Sequence, residues 1–430
     1  MSREATTPSP GLVRAIHRPD LTAAVVNGVI GSAIFGLPAT IAALTGAWSP
    51  VAYLVAGAFV LTIVLSFAEV ASRFEQPGGP YLYAREAFGP FVGFQAGWLT
   101  FWIRTTAVAA NLNVFVSYLS QIAPFAATTW GRVSVMTVVL GVITFINVKG
   151  VRQATWAVNA FTIAKLLPIA LLVVLGLVRL RAETLATQSV NAPDWTTAIL
   201  LLMFAYGGFE APLIPAGEST NPRRDSAFAL LTGMALITFV YLMVQLVVVG
   251  VLPNAGAADA PLAAVLGVLL GSFGVTLASI GAMVSIWGWA TGSVLQSPRL
   301  IFSMAAQREL PAPLARVHPR FRTPHVAILT YSALAYLLAI YGSFEWNATL
   351  SAVGRLVTYG LTCGAVLVFR RTRPDEQPGF RVPGGATIPT LGAGFCTWLL
   401  LTRSFDQAWV LIAAVLLGSA LFLLSHPSRR

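Results

Sequence analysis

From Leu21 almost to the C-terminus, apolar runs of about 20 residues alternate with short polar stretches. At about 1.5 Å of rise per residue, each run is long enough for one membrane crossing. The pattern predicts about twelve helical spans, at 21–45, 49–72, 90–120, 131–148, 154–178, 195–216, 227–252, 263–297, 325–343, 347–369, 384–402 and 407–425. The connections are too short to hold a soluble domain. The expected organisation is therefore a tail (1–20), one membrane domain (21–425) and a second tail (426–430). The first run is too long for a signal-peptide core and is expected to stay as the first span.

Composition agrees. The 430 residues are 56% hydrophobic and 10% charged, with a mean hydropathy of +0.76, outside the range of a soluble domain. A net charge of +11 would suit a nucleic-acid binder, but its distribution excludes that reading. With a cytoplasmic N-terminus, 20 of the 27 basic residues fall in the tails and loops of the cytoplasmic side. Only Arg132, Arg179, Arg181 and Arg403 fall opposite, and Arg104, Lys165 and Arg355 lie inside spans. This is the positive-inside pattern. It predicts a multi-pass cytoplasmic (inner) membrane protein with both termini cytoplasmic, whose large partner is the lipid bilayer. Cys363 and Cys396 lie within apolar spans, which argues against a disulfide framework. All four histidines fall at or beyond span ends, so no intramembrane metal and no cofactor are expected.

Two spans break the pattern. VNGVIGSAIFGLP, Val26 to Pro38, carries Gly28, Gly31, Ser32, Gly36 and Pro38, all residues that loosen a helix. Five spans later comes FAYGGFEAPLIPAGE, Phe204 to Glu218. Gly31 precedes Pro38 by seven positions, and Gly208 precedes Pro215 by seven. Paired interrupted helices mark transporters built from two inverted halves, with the site at the membrane midplane.

These two motifs, with SFAEVASRFEQPGGPYLYAREAFGP, FTIAKLLPIALLVVLGL and SPRLIFSMAAQRELPAPLARVHPRF, resemble the amino acid, polyamine and organocation transporters, and among them the bacterial amino acid permeases. The resemblance runs collinearly over nearly the whole chain. It implies an all-α, LeuT-like fold of five plus five helices in inverted repeats (about 21–178 and 195–369), with two further helices over 384–425. It also implies a small-molecule amino acid as substrate.

A zwitterion entering a membrane site needs replacement partners for a carboxylate and an ammonium. Where the first span unwinds around Gly31, the following half-helix exposes free N–H groups carrying partial positive charge, suited to a carboxylate. Half-helices that end at a break expose carbonyls, suited to an ammonium. The expected carboxylate site is the N–H groups of Ser32, Ala33 and Ile34 with the Ser32 hydroxyl. The expected ammonium site is the carbonyls of Ile30, Phe204, Ala205 and Tyr206, with Gly207 in the same segment. The family resemblance makes Phe204 an aromatic lid. The chain departs from the family at Ala33, where many members have a second glycine and the added methyl narrows the site.

The intramembrane charges leave alternatives open. Glu210, in the second break, is a substrate-site carboxylate or a group tying helices together. Arg104, 13 residues into the third span, needs an acidic partner, and Glu69 and Glu210 are available. Arg355 reads as a structural charge nearer the outer face. Lys165 is one of only two lysines against 25 arginines. By the resemblance, its ammonium sits where sodium-coupled relatives hold sodium and bridges to first-span carbonyls near Gly28, giving sodium-independent transport. Trp98, Trp102, Trp287 and Trp289 read as packing or interface anchors.

The expected function is secondary transport of amino acids by alternating access, through exchange, uniport or proton symport; a carrier of polyamines or other amines is the alternative. A channel would show rings of like residues in place of paired breaks. A membrane enzyme would need a nucleophile or metal cluster that the spans do not supply.

Overall fold

The computed structural model describes residues 18–74, 79–150, 155–188, 190–211, 213, 222–403 and 405–425. Residues 1–17 and 426–430, Pro215 and the side chain of Lys165 lie outside that set, and the last three residues of the expected first tail, 18–20, are helical. Among the described residues the regular structure is helical throughout. Five segments are long and apolar enough to cross a membrane: Ala33–Ala71, Thr129–Lys149, Arg224–Val251, Ser272–Ala306 and Phe344–Thr372.

The first run is two helices, α1 (Arg18–Val29) and α2 (Ala33–Thr45), separated at Ile30–Ser32. It is followed by α3 (Ser49–Ala71), α4 (Gly79–Phe88), α5 (Pro90–Ser120), α6 (Thr129–Lys149) and α7 (Thr155–Val178). Next come the short α8 (Ala182–Thr187), α9 (Trp195–Ala205) and α10 (Pro222–Val251). The chain closes with α11 (Pro261–Leu270), α12 (Ser272–Ala306), α13 (His325–Tyr341), α14 (Phe344–Thr372), α15 (Thr387–Leu401) and α16 (Phe405–Ser425).

Two elements differ from the sequence reading. QPGGPYLYAREAFG, in the connection between the expected spans 49–72 and 90–120, forms α4 from Gly79 onward, and this helix packs along α5 and α14. Its apolar face, with Tyr83 and Ala84 buried, is what makes a turn-rich stretch helical. The expected span 263–297 divides at Gly271, whose φ of +63° is left-handed backbone that suits glycine. Hydropathy averaged over the run hides a single-residue corner.

The polarity of the bundle is inverted relative to a soluble protein. Val138, Phe145, Phe239, Val268 and Leu416 face outward, while Asn111, Gln245, Ser279, Glu210 and Arg355 are buried. Such an exterior suits hydrocarbon, and backbone groups must then be satisfied inside the protein. α5 lies at the centre, against α12, α13 and α14; α1 packs on α10, and α2 and α3 pack on α9. Pro38 interrupts the ladder of α2, where side chains lend donors: Tyr118 to the Phe35 carbonyl at 2.9 Å and Gln245 to the Pro38 carbonyl at 3.1 Å.

Ion pairs tie the end of the bundle from which α1 starts. Arg18 Nε meets Asp225 Oδ1 at 2.5 Å, joining α1 to α10. Glu69, fully buried, accepts from Arg73 at 3.2 Å, from Arg370 and from the Val382 N–H at 2.8 Å. Arg85 reaches Glu309 at 3.4 Å and Arg373 reaches Glu86 at 2.7 Å. The expectation that Glu69 could serve Arg104 is therefore corrected. Glu69 is one turn before Arg73 at the end of α3, where the end of α14 brings in Arg370. Removing one partner of a buried ionic cluster strands the others and costs about 3 to 5 kcal/mol. Glu69→Ala should lower the thermal unfolding temperature of the purified protein in detergent by several degrees. Glu86→Ala, at an exposed pair, should leave it within about a degree.

Candidate substrate site

The site forms where the two interrupted helices meet. α1 ends with the Ile30 N–H donating to the Val26 carbonyl at 3.0 Å and the Gly31 N–H donating to the Val29 carbonyl at 2.8 Å. The ladder of α2 begins only with Phe35 and Gly36, which both donate to the Ser32 carbonyl, at 3.0 and 2.9 Å. The N–H groups of Ser32, Ala33 and Ile34 thus precede the ladder and have no acceptor among the described residues. Ser32 is 1% exposed, its hydroxyl has no partner, and it does not cap its own helix. Three backbone donors and a hydroxyl at the positive end of a helix form a preorganised anion site.

α9 ends in turns. The Tyr206 N–H donates to the Leu202 carbonyl at 2.9 Å and the Gly207 N–H donates to the Phe204 carbonyl at 3.2 Å. Gly208 then adopts φ +110° with its Cα against the Gly28 carbonyl, where a Cβ has no room. The two breaks touch there backbone to backbone, which glycine permits twice over, by conformation and by size. Tyr241 of α10 clamps the same junction: its hydroxyl lies 3.0 Å from the Ala205 carbonyl and 3.4 Å from the Val29 carbonyl. Trp289 of α12 donates from Nε1 to the Gly28 carbonyl at 3.1 Å, and its ring faces Gly31.

The structure brings Gly28, Ile30, Gly31, Ser32, Ala33 and Ile34 together with Phe204, Ala205, Gly207 and Glu210. It turns the Tyr206 side chain away, to donate to the Tyr53 carbonyl at 3.0 Å. The Ala205 carbonyl, expected as an ammonium partner, already accepts from Tyr241 and keeps one lone pair. Phe204 lies edge to face with Phe344, ring centroids 6.2 Å apart. Glu210 is buried and accepts on Oε2 from the Gly208 N–H and from the Tyr359 hydroxyl, both at 2.9 Å.

Arg355 departs from its expected place. Its guanidinium lies against Gly207, where a Cβ would run into it, with Cζ 5.9 Å from the centre of the Phe204 ring. It is 2% exposed, and Nε and Nη1 have no partner. Arg104 is buried too, and among the described residues neither arginine forms an ion pair. At the same level of α5, Tyr331 and Ser351 donate to the backbone carbonyls of Arg104 and Ile103, each at 3.0 Å, and tie α5 to α13 and α14.

Sequence reasoning missed Trp289, Tyr241, Phe344 and Tyr359 as site residues. Each reaches the junction from another helix, and an aromatic residue in a span carries no local mark separating a site wall from packing.

A helical bundle with an apolar exterior, in which the break between α1 and α2 meets the end of α9, has the make-up of a multi-pass membrane transporter. The model of the amino acid permease family matches residues 16–424, and the chain belongs to this family. Among its relatives, the serine/threonine exchanger SteT of Bacillus subtilis is 29% identical, with 92% of each chain covered. The branched-chain amino acid permease BcaP of the same organism is 27% identical over 96% of this chain and 94% of its own. The arginine/agmatine antiporter of Chlamydia pneumoniae is 24% identical over 93% of this chain and 87% of its own.

A Cβ on Gly31 would stop 3.4 Å from Trp289 Cδ1, an ordinary contact, whereas a longer side chain must enter the ring. Gly31→Ala should therefore bind ligand within about tenfold of wild type. Gly31→Leu should abolish binding while remaining folded and membrane-inserted, as read by ligand-induced thermal stabilisation beside size-exclusion profiles.

Proposed function

We propose that this permease is a secondary transporter that moves amino acids across the cytoplasmic membrane by alternating access about the paired helix breaks. The carrying observation is the set of unsatisfied donors at the start of α2. Burying polar groups without partners is costly, and the Ser32 hydroxyl with the Ser32, Ala33 and Ile34 N–H groups is completed by a substrate α-carboxylate. The carbonyl ends of α1 and α9, at Ile30, Phe204 and Ala205, take the α-ammonium, and Phe204 closes over the bound molecule. An amine without a carboxylate would leave the α2 donors unpaired and would need acidic groups. Glu210 is the carboxylate at the junction, and one of its oxygens is already engaged by Gly208 and Tyr359. This favours amino acids over polyamines.

The arrangement fits twelve spans in five-plus-five inverted repeats with two appended helices and both termini cytoplasmic, in line with the charge asymmetry of the loops. The names of the relatives include an exchanger, an antiporter and a permease, which supports transport by exchange, with proton symport as the other mode of this reading.

Lys165 stands in α7, which packs on α12 and α10. In this reading its ammonium steadies the Gly28 end of α1 in place of a sodium ion, and a fixed cation suits exchange whereas a titrating one suits proton symport. In proteoliposomes, amino acid uptake should be saturable and unchanged when potassium replaces sodium, and Lys165→Ala should lose most of it. Full activity of Lys165→Ala, or strict sodium dependence of the wild type, would refute the assignment. Acceleration by amino acid loaded inside the vesicles identifies exchange, and acceleration by an inward proton gradient identifies symport.

A further inference from the structure

The α-carboxylate and α-ammonium account for the two helix breaks but leave one group at the junction unexplained. Arg355, from the middle of α14, is 2% exposed, its guanidinium lies against Gly207, and two of its nitrogens lack partners. It is always protonated. Arg104 on the neighbouring α5 is also buried and outside any ion pair among the described residues. Glu210 balances one of these two charges through space, and its Oε2 is held by Gly208 and Tyr359. Among the described side chains the junction therefore carries one positive charge in excess, and Lys165 in the reading above only adds to it, in a medium where an uncompensated ion is costly.

The Cζ atom stands 5.9 Å from the ring centre of Phe204, the residue that closes over the substrate, so the guanidinium belongs to the wall beside the Phe204–Gly207 turn. That is a different wall from the Ser32 donors. Gly207 gives the guanidinium its place, because a Cβ there would run into Nη1. The open Nε and Nη1 donors are the feature at this wall that a second anionic group would satisfy.

We propose that Arg355 is the specificity-determining residue for substrates with an anionic side chain, so that the protein selects acidic amino acids, whose side-chain carboxylate pairs with the guanidinium while the α-carboxylate takes the α2 donors. This rests on the amino acid transport reading above. The bound carboxylate neutralises the excess charge and satisfies the open Nε and Nη1 donors. A neutral substrate leaves that charge as it stands in the empty site, so the discrimination comes from the attraction of the anionic side chain.

The test is binding of aspartate and glutamate against asparagine and glutamine, isosteric pairs that differ in charge, to the purified full-length protein by calorimetry. The wild type should prefer each acid over its amide by about ten- to a hundredfold, the value of a hydrogen bond to a charged group. Arg355→Gln should collapse that ratio to about one while holding the amides near their wild-type affinity. Arg355→Lys, which keeps the charge, should retain part of the preference. Loss of amide binding as well in a folded Arg355→Gln protein would overturn the proposal, assigning Arg355 to the α-carboxylate or to the architecture. Preference for neutral amino acids in the wild type would overturn it and leave amino acid transport standing. Failure of every amino acid class to bind would remove the transport reading itself.

Discussion

The contact on which the rest depends is the backbone approach of Gly208 to the Gly28 carbonyl. A helix interrupted inside a membrane exposes N–H and C=O groups that lipid cannot satisfy. The chain solves this by placing two interruptions against each other and surrounding them with side-chain donors and acceptors. Trp289 takes the Gly28 carbonyl, and Tyr241 spans the Val29 and Ala205 carbonyls. Glu210 takes the Gly208 N–H. At the start of α2 the Ser32 hydroxyl and the N–H groups of Ser32, Ala33 and Ile34 stay unsatisfied, a local deficit that a ligand can fill.

The charges divide into two populations with different work. Those at the end of the bundle from which α1 starts are paired, and they connect helices that must separate or slide if that end is to open. Glu69 joins α3 to the end of α14, Asp225 joins α10 to α1, and Glu309 joins the segment after α12 to α4. Arg18 is half exposed but its partner Asp225 is buried, so losing the arginine would strand a buried carboxylate. Arg104 and Arg355, within the bundle, form no ion pair among the described residues.

The sequence was informative wherever a feature repeats or is concentrated locally. Apolar runs located nearly every helix because hydrocarbon demands the same composition along each span. Both breaks were legible because glycine and proline act on their own backbone, and α1 does end at Val29 and α9 at Ala205. The deepest error of the sequence reading concerned partners. Glu69 and Arg104 look like a pair when only buried charges are counted, yet α14 delivers Arg370 to Glu69 and leaves Arg104 without an ionic partner.

The sequence by itself determined a membrane protein, its family, the two break points and the donors at the start of α2. The family came from the resemblance of its motifs, and the rest follows from composition and from backbone effects within a few residues. Only the tertiary structure decided which side chains wall the junction. Trp289 lies 261 positions from Gly28, Tyr359 149 from Glu210 and Tyr241 36 from Ala205, and Arg355 is as remote from Gly207; helix packing alone, which no local pattern encodes, sets the rotation that turns each toward the break.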